Sequence, residues 1–302
     1  MRGKEAGQVR NDNGLKMKLV WCPPGFFLMG DAEVAEEPAT KGDATDENDP
    51  KGGPGPQQGA TLNITPAKVL LTRGYWLGKF EVTQSEWKQV MATEPWKDEE
   101  FKKEGDDFPA THVGWTDAMW FCDKLTEQER MAKRLPDGWE YTLPTEAQWE
   151  RACRARTESR FSFGDDESKL GEYAWFNDNA WKVDEKYAHR VGQKKPNSWG
   201  LYDMHGNVWE WCRDWYEPSR RPAPKDFKLP GGRDPEVTKE GFNRALRGGG
   251  WDFIARDCRS AARDGLGPLN RNRYVGFRVA LSVVREAKPA EPGTEAPGTT
   301  DK

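Results

Sequence analysis

Short apolar runs, each ended by proline or glycine, recur along this chain and predict an irregular, loop-rich α+β fold with few short strands and about three helices. Met17 to Trp21 reads as a strand, and Pro23-Pro24-Gly25 turns the chain into a second, Phe26 to Met29. Phe277 to Val284 alternates as a terminal strand, expected to pair with the first and bring the chain ends together. Helix starts are marked by caps. Thr83 with Glu86, and Thr145 with Gln148, have the spacing at which two side chains satisfy otherwise unpaired backbone donors. The first helix should bury Trp87, Val90 and Met91; the second should bury Ala147, the stem of Arg151 and Cys153. Thr116 is expected to cap a longer helix with Ala118, Phe121, Cys122 and Leu125 on one stripe. After Arg154 the pattern breaks into turns and short strands through Trp181.

Three stretches have no such pattern. Residues 31–60 carry eight acidic against two basic side chains among proline and glycine, which predicts a mobile surface loop. Residues 285–302, rich in Pro, Glu, Thr and Gly, read as a disordered tail, and the polar residues 1–15 as a disordered N-terminus. One domain is therefore expected over 16–284.

Composition narrows the function classes. A net charge of −4 removes the general electrostatic case for nucleic-acid binding, and no apolar run is long enough to span a bilayer. Met1 to Gly14 has no apolar h-region, so no signal peptide is read and a cytoplasmic address is the default expectation. Fifteen tryptophans amid glycine and proline predict an aromatic, irregular core. The five cysteines, Cys22, Cys122, Cys153, Cys212 and Cys258, show no close pairing and are expected to be reduced and buried.

Candidate chemistry concentrates in one frame: Arg247-Gly248-Gly249-Gly250-Trp251, then Asp252 to Val275, then Gly276-Phe277-Arg278-Val279-Ala280. Together with Trp21 to Gly30, Tyr75 to Thr83, Leu143 to Glu150 and Gly200 to Trp211, this frame resembles the formylglycine-generating enzyme, or sulfatase-modifying factor, family, whose fold is related to C-type lectins. The resemblance implies a frame holding two cysteines that bind copper and oxidise a sulfatase cysteine. Here Phe253 stands at the first of those positions and Cys258 at the second. A phenylalanine neither ligates soft Cu(I) nor forms a mixed disulfide, so copper chemistry is not expected. Iron-dependent relatives use three histidines, whereas His112, His189 and His205 include no i, i+4 pair. The family also binds a structural calcium, a role that maps onto Asp203, Gly206, Val208 and Glu210; the alternative is that Glu210 pairs with an arginine such as Arg247.

Asp252 to Val275 contains no Lys, Glu, Gln, Met or Trp, although 80 of the 302 residues are of those types. None of the five has a codon ending in a pyrimidine, so they cannot arise when the adenines of AAC-type codons are randomised. The stretch is similar to the variable region of proteins diversified by retroelements; the alternative is an Arg-, Asp- and Gly-rich loop common to non-catalytic members of the family. That resemblance implies ligand contacts at Asp252, Phe253, Ile254, Asp257, Ala262, Asp264, Leu266, Leu269, Arg273 and Tyr274, with Arg256, Cys258, Arg259, Arg263 and Phe277 as scaffold. The expected function is non-catalytic binding of a protein or small-molecule ligand. The alternatives are an oxidase acting through Cys258, or a structural accessory domain.

Overall fold

Residues 1–31, 66–217 and 227–284 are described by the computed structural model. Most of the acidic stretch 31–60, and the tail 285–302, lie outside the described residues. The strands are β1 (Val9–Arg10), β2 (Leu19–Cys22), β3 (Gly25–Met29), β4 (Ala67–Leu71), β5 (Tyr75–Gly78), β6 (Trp139–Thr142), β7 (Trp209–Trp215), β8 (Gly232–Arg233), β9 (Arg244–Arg247), β10 (Arg263–Leu266), β11 (Val275–Gly276) and β12 (Ala280–Val283). They form three small sheets, ordered β1-β2-β5-β12-β6, β10-β9-β7-β11 and β3-β4-β8. The helices are α1 (Gln84–Met91), α2 (Trp115–Met131), α3 (Glu146–Arg154) and the single turn α4 (Leu170–Tyr173). Among the described residues no helix is long and apolar enough to cross a membrane.

Local chemistry sets the helix starts. The Thr83 and Thr145 hydroxyls accept from the amides of Glu86 and Gln148, whose side chains accept in return from the two threonine amides. The cap of the long helix lies two residues before the expected one. Gly114 is its N-cap, and the Asp117 carboxylate accepts from the Gly114 amide at 2.9 Å, which leaves Thr116 inside the first turn. Ala118, Phe121, Cys122 and Leu125 face the core as expected, while Met91 of α1 is only half-buried.

Two further expectations change. Residues 1–15 contribute β1, which pairs antiparallel with β2, and the Met1 carbonyl accepts from Trp76 Nε1. The terminal strand does not pair with the first strand: β5 stands between them, hydrogen-bonded to both β2 and β12. Periodicity identifies a strand but not its neighbour, because pairing is decided by the two faces that must be buried together.

The core is aromatic. Trp87, Phe121 and Phe277 pack as one cluster, the first two stacked at 5.7 Å and Phe277 edge-on to both. Such pairs contribute about 0.5–1.5 kcal/mol each beyond area burial. They join α1 and α2 to the glycine-phenylalanine-arginine segment after β11, and so fix the far end of the Arg247–Ala280 frame.

Candidate binding face

The frame opens at the end of β9 with three glycines. Gly248 and Gly249 have φ of 104° and 79°, where a β-carbon is strained, and a β-carbon on Gly249 would meet Cys258 Sγ at 2.7 Å and the Asp257 carbonyl at 2.8 Å. This turn lets the chain return immediately across its own frame. Antiparallel pairing of β10 with β9 sets Arg263 opposite Arg247.

A chain of seven buried and part-buried charges anchors the frame. Arg263 forks onto Glu146, which Arg247 approaches at 3.4 Å; Arg247 donates to Glu150; Glu150 accepts from Arg154 at 2.8 Å; and Asp31 bridges Arg154 at 3.0 Å and Arg259 at 2.6 Å. The signs alternate throughout. Both ends, Arg263 and Arg259, belong to the frame, and the middle belongs to α3. Burial pushes the Glu146 carboxyl up, but Arg263 and Arg247 overcome it and leave it below its usual range. The scaffold reading of Arg259 and Arg263 thus has a physical basis.

Cys258 has no exposed surface and packs with Phe161, Leu170, Ala174 and Phe176. Burial raises its thiol well above the usual range, so it stays protonated. All five cysteines are buried and free. The Cys258 carbonyl accepts from His205 Nδ1 at 2.9 Å, while His205 Nε2 accepts from the Ser162 amide and hydroxyl. His205 is therefore a neutral structural residue, held at about 4 mainly by burial.

The expected contact residues separate by depth. Leu269 is 77% exposed; Asp252, Phe253, Ile254, Asp257, Leu266 and Arg273 are half-buried. Ala262, Asp264 and Tyr274 are buried, which corrects their assignment to the surface. The Ala262 carbonyl accepts from Arg247, Asp264 folds back on the Gly265 amide at 2.8 Å, and Tyr274 lies under Phe253. Position within a variable-looking stretch does not reveal depth, because burial is decided by what packs over each position once the sheets assemble. Phe253 meets Tyr274 edge-on at 5.1 Å and Trp209 at 5.5 Å. Beside it, Asp252 faces Arg273 at 3.6 Å, and burial still pushes the Asp252 carboxyl up to about 6. Arg273 in turn lies over the rings of Phe101 and Trp181.

Of the four residues matched to calcium, Glu210 has its carboxylate engaged within the protein. Both Glu210 oxygens accept from Arg278 at 2.6 Å, and Trp149 Nε1 adds a third bond at 2.7 Å. Arg247, the arginine named as a possible partner, belongs to Glu150 and Glu146 instead. Asp203 accepts from the Gly192 amide at 2.7 Å. Glu210 is thus neutralised by a guanidinium. Sequence reasoning missed Trp209, which packs on Phe253, and Arg278, which holds Glu210. Their signal was a polar or aromatic side chain inside an apolar block, which names neither partner nor face.

The sequence model of the Sulfatase-modifying factor enzyme 1-like domain matches residues 6–283. The chain is 30% identical to the chaperone protein LppX of Paenibacillus barcinonensis over 222 residues, 61% of this chain and 71% of that one. It is 31% identical to the formylglycine-generating enzyme of Streptomyces coelicolor over 188 residues, 57% of this chain and 52% of the enzyme, so it spans about half that relative's length. Among solved structures, Treponema denticola variable protein 1 superposes with a TM-score of 0.63 at 27% identity, covering 90% of this chain and 98% of that one.

Proposed function

The chain belongs to the sulfatase-modifying factor enzyme 1-like domain family, and from that premise we propose that it is a non-catalytic member that binds a ligand at the face around Phe253, Ile254, Leu266 and Leu269. One observation carries this reading. Phe253 fills the position where the resemblance to active members places a thiol, while Cys258 is sealed in an apolar cluster with its proton retained. A site without an accessible thiolate lacks both the soft ligand and the nucleophile that the oxidation needs. The remaining apolar and aromatic groups, edged by Asp252 and Arg273, have the composition of a recognition surface.

The buried ion chain supports the same reading, because it holds the frame through side chains other than those at its surface. Substitution at Ile254, Leu266 or Leu269 leaves those ion pairs intact. Likeness to a protein titled a variable protein favours diversification of this face. Sequencing the locus in independent isolates tests the proposal. Changes should concentrate in codons for part-exposed positions of 252–274 and spare Arg247, Cys258, Arg259, Arg263 and Phe277. An even spread over the whole chain contradicts it.

A further inference from the structure

Deepening that reading, we propose that the floor beneath Phe253 is a binding site for a carboxamide group, with Phe253 as its plug. Trp209 and Tyr274, whose rings meet Phe253, and its chain neighbour Asp252 each carry a buried polar atom without a hydrogen-bond partner: Nε1, the hydroxyl and Oδ1. Trp209 and Tyr274 are 2% and 3% exposed, so no bulk solvent satisfies them. A buried unpaired polar group costs about 1–3 kcal/mol, and three around one residue point to a group that is meant to enter.

The geometry brings them together. A β-carbon on Gly250 would stand 3.4 Å from Asp252 Oδ1, 3.5 Å from Trp209 Cδ1 and 3.1 Å from Phe253 Cδ2, so the acceptor and the indole edge both lie against this glycine and the Phe253 ring, and room for a ligand opens when that ring moves away. The Phe253 ring closes it, edge-on to both Trp209 and Tyr274. Asn177 fixes the local backbone, its amide donating to the Phe253 carbonyl at 2.9 Å and its Nδ2 to the Asp252 carbonyl at 3.4 Å.

The inventory selects the ligand class. An indole N–H and a phenol O–H require a strong acceptor; the Asp252 oxygen requires a donor a few ångströms away. A carboxamide offers C=O and N–H side by side in one plane, suited to a slot between aromatic rings. It is also neutral, which matches a floor where Arg273 already balances Asp252. An asparagine or glutamine side chain, or a peptide bond at the tip of a partner loop, supplies this group, and Leu269 and Ile254 then cover the apolar remainder of the loop.

The test follows indole N–H resonances, with acetamide as probe and ethylene glycol as a polyol control. The Trp209 signal is assigned by its loss in Trp209→Phe. In the wild-type chain it should shift and saturate with acetamide but not with the glycol. Phe253→Ala should tighten binding by about tenfold, the factor expected when a covered state populated about ten to one is removed. Phe253→Val serves the same purpose if the alanine variant is unstable. Gly250→Ala and Tyr274→Phe should weaken the shift. A Trp209 signal that stays fixed in both Phe253 variants, or that responds equally to glycol, overturns the proposal. Clustered variation at the locus together with a fixed signal would remove the carboxamide and leave the binding face standing.

Discussion

At the scale of single residues, the consequences of burial are clearest at His205. Its ring must donate from Nδ1 and accept at Nε2, so protonation breaks the bonds from Ser162. Burial holds it at about 4, against about 6.5 in an unfolded chain. A lowered folded value means that this contribution to stability is complete above about pH 6.5 and is lost as pH falls toward 4, with a slope approaching about 1.4 kcal/mol per pH unit. Urea unfolding at pH 7 and pH 5 should show a larger loss in the wild type than in His205→Gln; equal losses would assign the acid sensitivity to other groups. The Glu210–Arg278 pair makes a second prediction. Arg278→Met leaves a buried carboxylate without its cation and should cost about 3–5 kcal/mol, read as a lower unfolding midpoint. A loss under about 1 kcal/mol would mean that Glu210 has another partner. The sequence offered an arginine as the alternative partner of Glu210, with Arg247 as the example, and the partner is Arg278 instead. Which acid meets which base depends on contacts across 68 positions of sequence, and no local pattern encodes that.

Secondary-structure elements were legible to the degree that their determinants are local. The capping boxes at Thr83 and Thr145 involve groups three residues apart, and both were read correctly. Thr145→Ala should cost about 1 kcal/mol of stability, measurable by thermal unfolding, and no change would show that packing alone fixes the start of α3. The start of α2 was misread because Asp117 caps Gly114 by reaching back, and Arg271, from the frame, grips Asp117 from a distant part of the chain. The triple-glycine turn is the element on which the frame depends. Gly249→Ala places a methyl group against Cys258 Sγ and the Asp257 carbonyl at positive φ, and should destabilise more than Gly267→Ala, where the nearest side-chain atoms stand at 3.6 Å. Comparable unfolding midpoints for the two variants would contradict this.

Over the whole molecule, order and depth were the two features that sequence alone could not supply. Five separated blocks identified the family and the fold class, since each block carries its own turns and caps. The position of β5 between β2 and β12, and the burial of Ala262, Asp264 and Tyr274, emerge only when the sheets assemble. Assembly also closes the ion chain from Arg263 through α3 to Arg259, making the frame a rigid mount. On that mount stands a phenylalanine where the resemblance to active members places a thiol, and a single sealed cysteine behind it. Incubating the protein with a Cys-x-Pro-x-Arg peptide, copper and oxygen, and reading the peptide by mass spectrometry, tests this directly. The cysteine should come through without conversion to an aldehyde; aldehyde that forms with the wild type and disappears with Cys258→Ser would show the chain to be an oxidase.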